Sequence, residues 1–304
     1  MSEVSAKDVM ELRRMSGAGM MDCKKALAES GGDMDAAKDW LRSHGLAKAA
    51  KKAGREANEG LIRIHKTDDR HGVMLLVNCE TDFVARTDDF KNAVDGLAQF
   101  FSTANFPSGC LGAEATPEHI EGEILKMQYE GGTVQDAITN LIANLGENMA
   151  LGRIVAERSA DAEDFLQEYM HGNRVGVLVC LTTGKPETHA NPKFVELAKD
   201  IAMQVAAAMP QVPQAVSRDS LDPAAVEHEK KVLTEQAMQE GKPAEIAEKM
   251  VMGRINKFFG EVCLLEQPFI KDDKQKVGEI VKAVAGEIGD TVSVARFHRF
   301  QLGD

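Results

Sequence analysis

The sequence predicts an α+β protein built from a three-helix N-terminal module, a two-halved core of antiparallel sheet plus helices, and a protruding antiparallel helical hairpin. Three observations predict it. Helical periodicity runs through the first 45 residues, strand-like alternation begins at Gly60, and the strand-then-helix pattern recurs 104 residues further on.

In the first segment Ser5 and Asp8 form a capping pair, and Val9, Met10, Leu12 and Arg13 open an amphipathic turn. "SGAG" (16–19) breaks that helix, and a second runs from Met20 to Ser30, closed by Gly31 and Gly32. Asp33 caps a third helix carrying Ala36, Ala37, Trp40 and Leu41, with Gly45 as its stop signal. The alanine-rich stretch 46–59 reads as a helical linker.

"GLIRIHK" and "GVMLLVNC" flank the polar "TDDRHG" and predict a β-hairpin. Helices are expected at 88–104, 117–129 and 133–146. A second β region opens at "LGRIVAERS" (151–159) and resumes at "RVGVLVCLT" (174–182), with a short helix between them, and a helix follows at 192–208. "GVMLLV" at Gly72 and "GVLVCL" at Gly176 each precede a helix that opens 18 residues later, at Phe90 and Phe194. Leu97-Ala98 and Ile201-Ala202 keep the same offset, which suggests two similar halves.

Residues 223–258 carry two helices joined through Gly241 and Pro243, a helical hairpin. A last strand pair, "GEVCLLEQPF" and "VSVARFHRF", brackets a helix at 275–286 and completes the second half. The expected domains are 1–55 (module and linker), 56–150 (first half of the core), 151–222 (second half), 223–258 (hairpin) and 259–304 (completion of the second half).

Composition narrows the function. A chain of 304 residues suits two or three domains, and 43% hydrophobic with 28% charged residues is ordinary for a soluble protein. Net charge is −12, divided as +3 over residues 1–55 and −15 over the rest. That acidic body argues against strong nucleic-acid binding, which needs a basic face. "KAAKKAGR" (48–55) reads as a solvated helix face, with RNA contact as the alternative. Five scattered cysteines without a C-x-x-C pair predict reduced thiols rather than a disulfide framework or a zinc site. No charged-then-apolar leader or membrane-length apolar run stands out, so a soluble, cytoplasmic protein without membrane attachment is expected.

No constellation of catalytic residues emerges. "GAGMMDCKK" lacks the spacing of a phosphate loop, since its glycines flank one alanine between helices. The eight histidines form no metal-ligand pattern, and the adjacent carboxylates of "TDDF" and "KDDK" point apart. No nucleophile elbow or reactive-cysteine signature is present. The expectation is a non-enzyme without cofactor or metal.

"TDFVA" remains. Thr81 and Asp82 would end the second strand, leaving Phe83 and Val84 at its rim. On residue type alone, Phe83 belongs in its own core. Met20 and Met21 pose the same question, because consecutive helical residues cannot both face one core, so one of them should point outward.

"ELRRMSGAGMMDCKKAL", "KAAKKAGREANEG", "NCETDFVA", "HGNRVGVLV" and "GKPAEIAEKMVMGRINKFFGEVCLLEQPF" resemble the elongation factor Ts family, in order and over nearly the whole chain. The resemblance implies a ubiquitin-associated-like N-terminal module and a guanine-nucleotide exchange factor acting on elongation factor Tu. It implies that Thr81, Asp82, Phe83 and Val84 displace magnesium from that GTPase, with Phe83 as the wedge and Asp82 holding the turn. Leu12, Met20 and Met21 match module positions that dock on the nucleotide-binding domain, and His171 matches a position facing another domain of the partner. "CLTTGKPETHANPKF" looks longer than the family's usual loop. A one-to-one complex is expected, because one chain already carries both halves, and no direct nucleotide binding is implied. The competing class is a ribosome- or chaperone-associated adaptor using the three-helix module.

Overall fold

The computed structural model describes residues 4–107, 110–239 and 244–303. It divides into two compact units, one of Met1–Thr67, Gly72–Arg158 and Phe300–Asp304, the other of Asp68–His71 and Ser159–Arg299.

The first unit opens with α1 (Ala6–Ser16), α2 (Met20–Glu29) and α3 (Met34–Ala50). Ser5 and Asp33 cap α1 and α3 by accepting the backbone N–H groups of Asp8 and Ala36. Gly17, at φ 66°, ends α1 in the left-handed conformation that only glycine adopts without strain. Val9, Leu12, Cys23, Ala26, Leu27, Ala37 and Leu41 form the module's core. Gly45 does not stop α3. It is buried within the helix beside Ala143 and Thr139, and the helix runs on to Ala50 because that packing outweighs the local penalty of about 1 kcal/mol for a helical glycine.

β1 (Glu59–Lys66) and β2 (His71–Cys79) then pair antiparallel, from Glu59 opposite Cys79 to Lys66 opposite Gly72. α4 (Asp82–Ala85) and α5 (Asp88–Thr103) follow. The single helix expected at 117–129 is shorter: α6 (Pro117–Gly122) ends where Glu123 leaves the helical region, and a 3-10 turn at Ile124–Lys126 leads into β3 (Gln128–Tyr129). β3 pairs with β4 (Gly132–Thr133), which opens α7 (Val134–Leu145) through a Thr133–Asp136 capping box. β5 (Met149–Arg158) closes a sheet of order β1-β2-β5. The boundary expected at 150/151 therefore falls inside a strand of the first sheet, and the first unit's middle segment runs on to Arg158.

In the second unit the stretch expected as a short helix is a strand, β6 (Asp164–His171). It pairs antiparallel with β7 (Val175–Thr183), from Asp164 opposite Thr182 to His171 opposite Val175. Burying Phe165 and Leu166 in the sheet overrides the helix-favouring "ADAED" before them. The 183–191 loop contains a 3-10 turn, Pro186–Ala190, fastened by Asp290, which accepts from the Thr188 hydroxyl and the Lys185 amide.

α8 (Pro192–Ala207) follows, then α9 (Pro223–Gln239) and α10 (Ala244–Val262), which pack on one another. The expected caps at Gly241 and Pro243 lie outside the described residues. The segment expected as a strand from Gly260 is helical to Val262 and then forms a 3-10 turn at Leu264–Glu266, leaving only β8 (Pro268–Phe269). β9 (Asp272–Lys276) pairs antiparallel with β8, and after α11 (Val277–Ile288) the strand β10 (Val292–Gln301) completes a sheet of order β10-β7-β6.

The two halves repeat more than their first helix. Each runs hairpin, helix, 3-10 turn, two-stranded ribbon, helix and third strand, and the third strand pairs with the second in both sheets. Phe90 and Phe194 are fully buried at matching places in their cores, and Leu97-Ala98 and Ile201-Ala202 are buried beside them.

Candidate functional site

β2 ends at Cys79, before the Thr81 and Asp82 expected to end it. Thr81 is not the strand's last residue but the N-cap of α4, its hydroxyl accepting the Val84 N–H at 3.4 Å. A four-residue helix cannot support itself, because the cost of nucleation exceeds what one turn of hydrogen bonds returns. Side chains around it supply the difference. Arg86 pairs with Asp82 at 2.8 Å across the turn, Ala85 is buried, and Val84 packs on the core of the first unit. Val84 is therefore an anchor of the turn rather than part of an exposed rim.

That anchoring turns Phe83 outward. Its side chain is 79% exposed, whereas Phe90 on the next helix is fully buried. Leaving a benzyl side chain in water forgoes about 1.5–3 kcal/mol of burial.

The turn is fastened by a reciprocal clasp with the residues just after α7. Glu147 accepts from the Thr81 N–H at 3.0 Å and from its hydroxyl at 2.6 Å. Glu80 accepts in return from the Asn148 N–H at 2.6 Å. That amide, with Arg55 at 3.4 Å, holds the Glu80 carboxyl below the usual carboxylate range. Beneath the turn, Cys79 is buried and its thiol donates to the Thr81 carbonyl at 3.2 Å. Burial pushes that thiol up to about 12, and the Glu147 carboxylate adds to the rise.

α7 also grips the three-helix module. Asn144 donates to the Gly17 carbonyl at 2.6 Å and accepts from the Gly19 N–H at 3.2 Å, bracketing the loop between α1 and α2. Lys52 donates to the Gly146 carbonyl, and within the module Lys48 of α3 pairs with Asp22 of α2 at 2.9 Å. Met20 and Met21, on the first turn of α2 beyond that loop, are 52% and 75% exposed. Both point outward, where one was expected to do so.

Leu12 is different. It is fully buried in the module core and offers no surface to a partner, which corrects its placing among the docking residues. His171 ends β6 in the second unit, exposed, with its Nδ1 3.2 Å from the Tyr169 hydroxyl.

The structure thus gathers Thr81, Asp82, Phe83 and Val84 on one turn, carries Met20 and Met21 on the module of the same unit, and leaves His171 on the other unit. Sequence reasoning missed Glu147 and Asn144, whose partners lie 66 and 125 residues away in the chain. The local signal was "NLGEN", where a helix-ending glycine is followed by two polar residues.

Residues 80–304 match the family model described as Elongation factor TS. The whole chain is 47% identical to elongation factor Ts of Symbiobacterium thermophilum, covering 93% of that protein. It is 45% identical to that of Desulfovibrio desulfuricans over 99% of both chains, and 43% identical to that of Aquifex aeolicus over 99% of this chain and 98% of the other. These relatives extend the match through the three-helix module, which the family model does not reach. With the match so extended through the N-terminal module, the chain belongs to the elongation factor Ts family of translation elongation factors.

Proposed function

We propose that the protein is the guanine-nucleotide exchange factor of a translational GTPase, elongation factor Tu. It binds the GDP form one-to-one, displaces magnesium and promotes GDP release so that GTP can rebind. The observation that carries this reading is Phe83, held out in solvent on a turn that Thr81, Val84 and Ala85 fasten to the first unit.

An exchange factor is a ligand coupled negatively to nucleotide: if it weakens GDP binding by some factor, GDP weakens its own binding by the same factor. A nanomolar nucleotide is held by about 12 kcal/mol. Burying one Phe returns only about 1.5–3 kcal/mol. Phe83 cannot evict the nucleotide alone, so a broad interface must hold the GTPase distorted while the ring wedges into it. Met20 and Met21 contribute docking surface from the module, and His171 contributes contact from the second half. Loss of magnesium then removes the charge that bridges the phosphate oxygens.

Mixing the protein with purified elongation factor Tu carrying fluorescent GDP tests the reading. Release should accelerate in proportion to the protein added. An adaptor without exchange activity would leave the spontaneous rate unchanged.

A further inference from the structure

We propose that Glu147 is a positioning residue for nucleotide exchange, acting through Thr81 to hold the α4 turn in the geometry that presents Phe83. The inference rests on the exchange reading above and adds a residue to its machinery.

The argument starts from what the turn lacks. Phe83, largely exposed, has little packing to fix it, and α4 is too short to persist by its own hydrogen bonds. Its one side-chain cap is the Thr81 hydroxyl, which must accept the Val84 N–H. A hydroxyl has a single proton, free to rotate among partners. Glu147 removes that freedom by taking the proton at 2.6 Å, which leaves the oxygen's lone pairs to Val84. Its second oxygen takes the Thr81 N–H, fixing the backbone just ahead of the helix. A carboxylate suits this task because it only accepts and has two oxygens to offer. It is itself held in place by its neighbours, since Asn148 donates its backbone N–H to Glu80 and its side chain to the Arg55 carbonyl at 2.7 Å.

The same short segment carries Asn144 on the Gly17–Gly19 loop. Met20 and Phe83, both facing solvent, are therefore referenced to one piece of backbone, residues 144–148. An exchange factor must apply its wedge at a fixed offset from the surface that docks it, and this segment provides that offset.

Glu147→Gln keeps the side chain's size but turns one of the two acceptors into a donor, set against one of the two Thr81 donors. The test measures stimulated GDP release from elongation factor Tu against concentration for the wild type, Glu147→Gln, Thr81→Ala, the double variant and Phe83→Ala. Glu147→Gln should lower the maximal rate about tenfold, the scale set by losing charge-assisted hydrogen bonds, while moving the half-saturating concentration less than about threefold. The double variant should be no slower than the slower single one, because both changes cut the same link. A melting temperature close to that of the wild type shows that the fold survives, and Glu147→Asp decides the matter if Glu147→Gln does not fold.

Two outcomes separate the failures. A Glu147→Gln protein as fast as the wild type, beside a slow Phe83→Ala, overturns this inference and leaves the exchange reading standing. A wild type that does not accelerate release overturns both.

Discussion

Glu147 takes both protons that Thr81 can give, the amide's at 3.0 Å and the hydroxyl's at 2.6 Å, from 66 residues further along the chain. The bond joins the end of the first hairpin to the segment after α7, and the geometry of the exposed ring depends on it. Replacing Thr81 by Val keeps the shape and removes the hydroxyl. One Glu147 oxygen then loses its partner, and the Val84 N–H loses its cap. Thr81→Val should cost about 1–2 kcal/mol in urea unfolding and slow stimulated GDP release as well.

Leu12 and Met21 should separate stability from docking. Leu12→Ala opens a cavity in a core of seven buried residues and should destabilise the protein by about 2–5 kcal/mol. Met21→Ala changes a side chain that is 75% exposed and should shift stability by no more than about 0.5 kcal/mol. It should instead raise the concentration needed for half-maximal exchange. Equal effects of the two variants on melting temperature would contradict this assignment.

The buried thiols should show in chemistry and in pH. All five cysteines are buried thiols outside any disulfide, so the native protein should resist alkylation near pH 8 and the unfolded chain should react fully. Burial raises Cys79 from its ordinary 9.0 to about 12 and Cys263 to about 11. A folded value above the unfolded one means the contribution is whole below pH 9 and lost as pH rises through the folded values. Unfolding free energy should therefore fall from about pH 9 upward. Cys79→Ala should reduce that slope, measured by denaturant titration at stepped pH.

Much of the fold was legible because its signals are local. The first hairpin, α5, α7 and α8 follow apolar spacing and caps that a few adjacent residues specify. β6 was misread because "ADAEDFLQEYMH" favours a helix locally, and only pairing with β7 makes it a strand. Gly45 resembled a helix end because the residues that cover it belong to α7, far along the chain. Phe83 was legible only through family resemblance, since residue type alone assigns a Phe to the core. Its exposure follows from Val84 and Ala85 turning inward on the same short helix, a choice fixed by Thr81 and Glu147 together. Leu12 was wrongly grouped with Met20 and Met21 because the resemblance marks module positions without telling inward-facing from outward-facing side chains.

The most direct measurement is the rate of fluorescent GDP release from elongation factor Tu driven by Phe83→Ala. Truncating a side chain that is 79% exposed should leave the melting curve essentially unchanged, yet slow stimulated release by about an order of magnitude or more, the scale of one buried ring's contribution. Release as fast as with the wild-type protein would contradict the account.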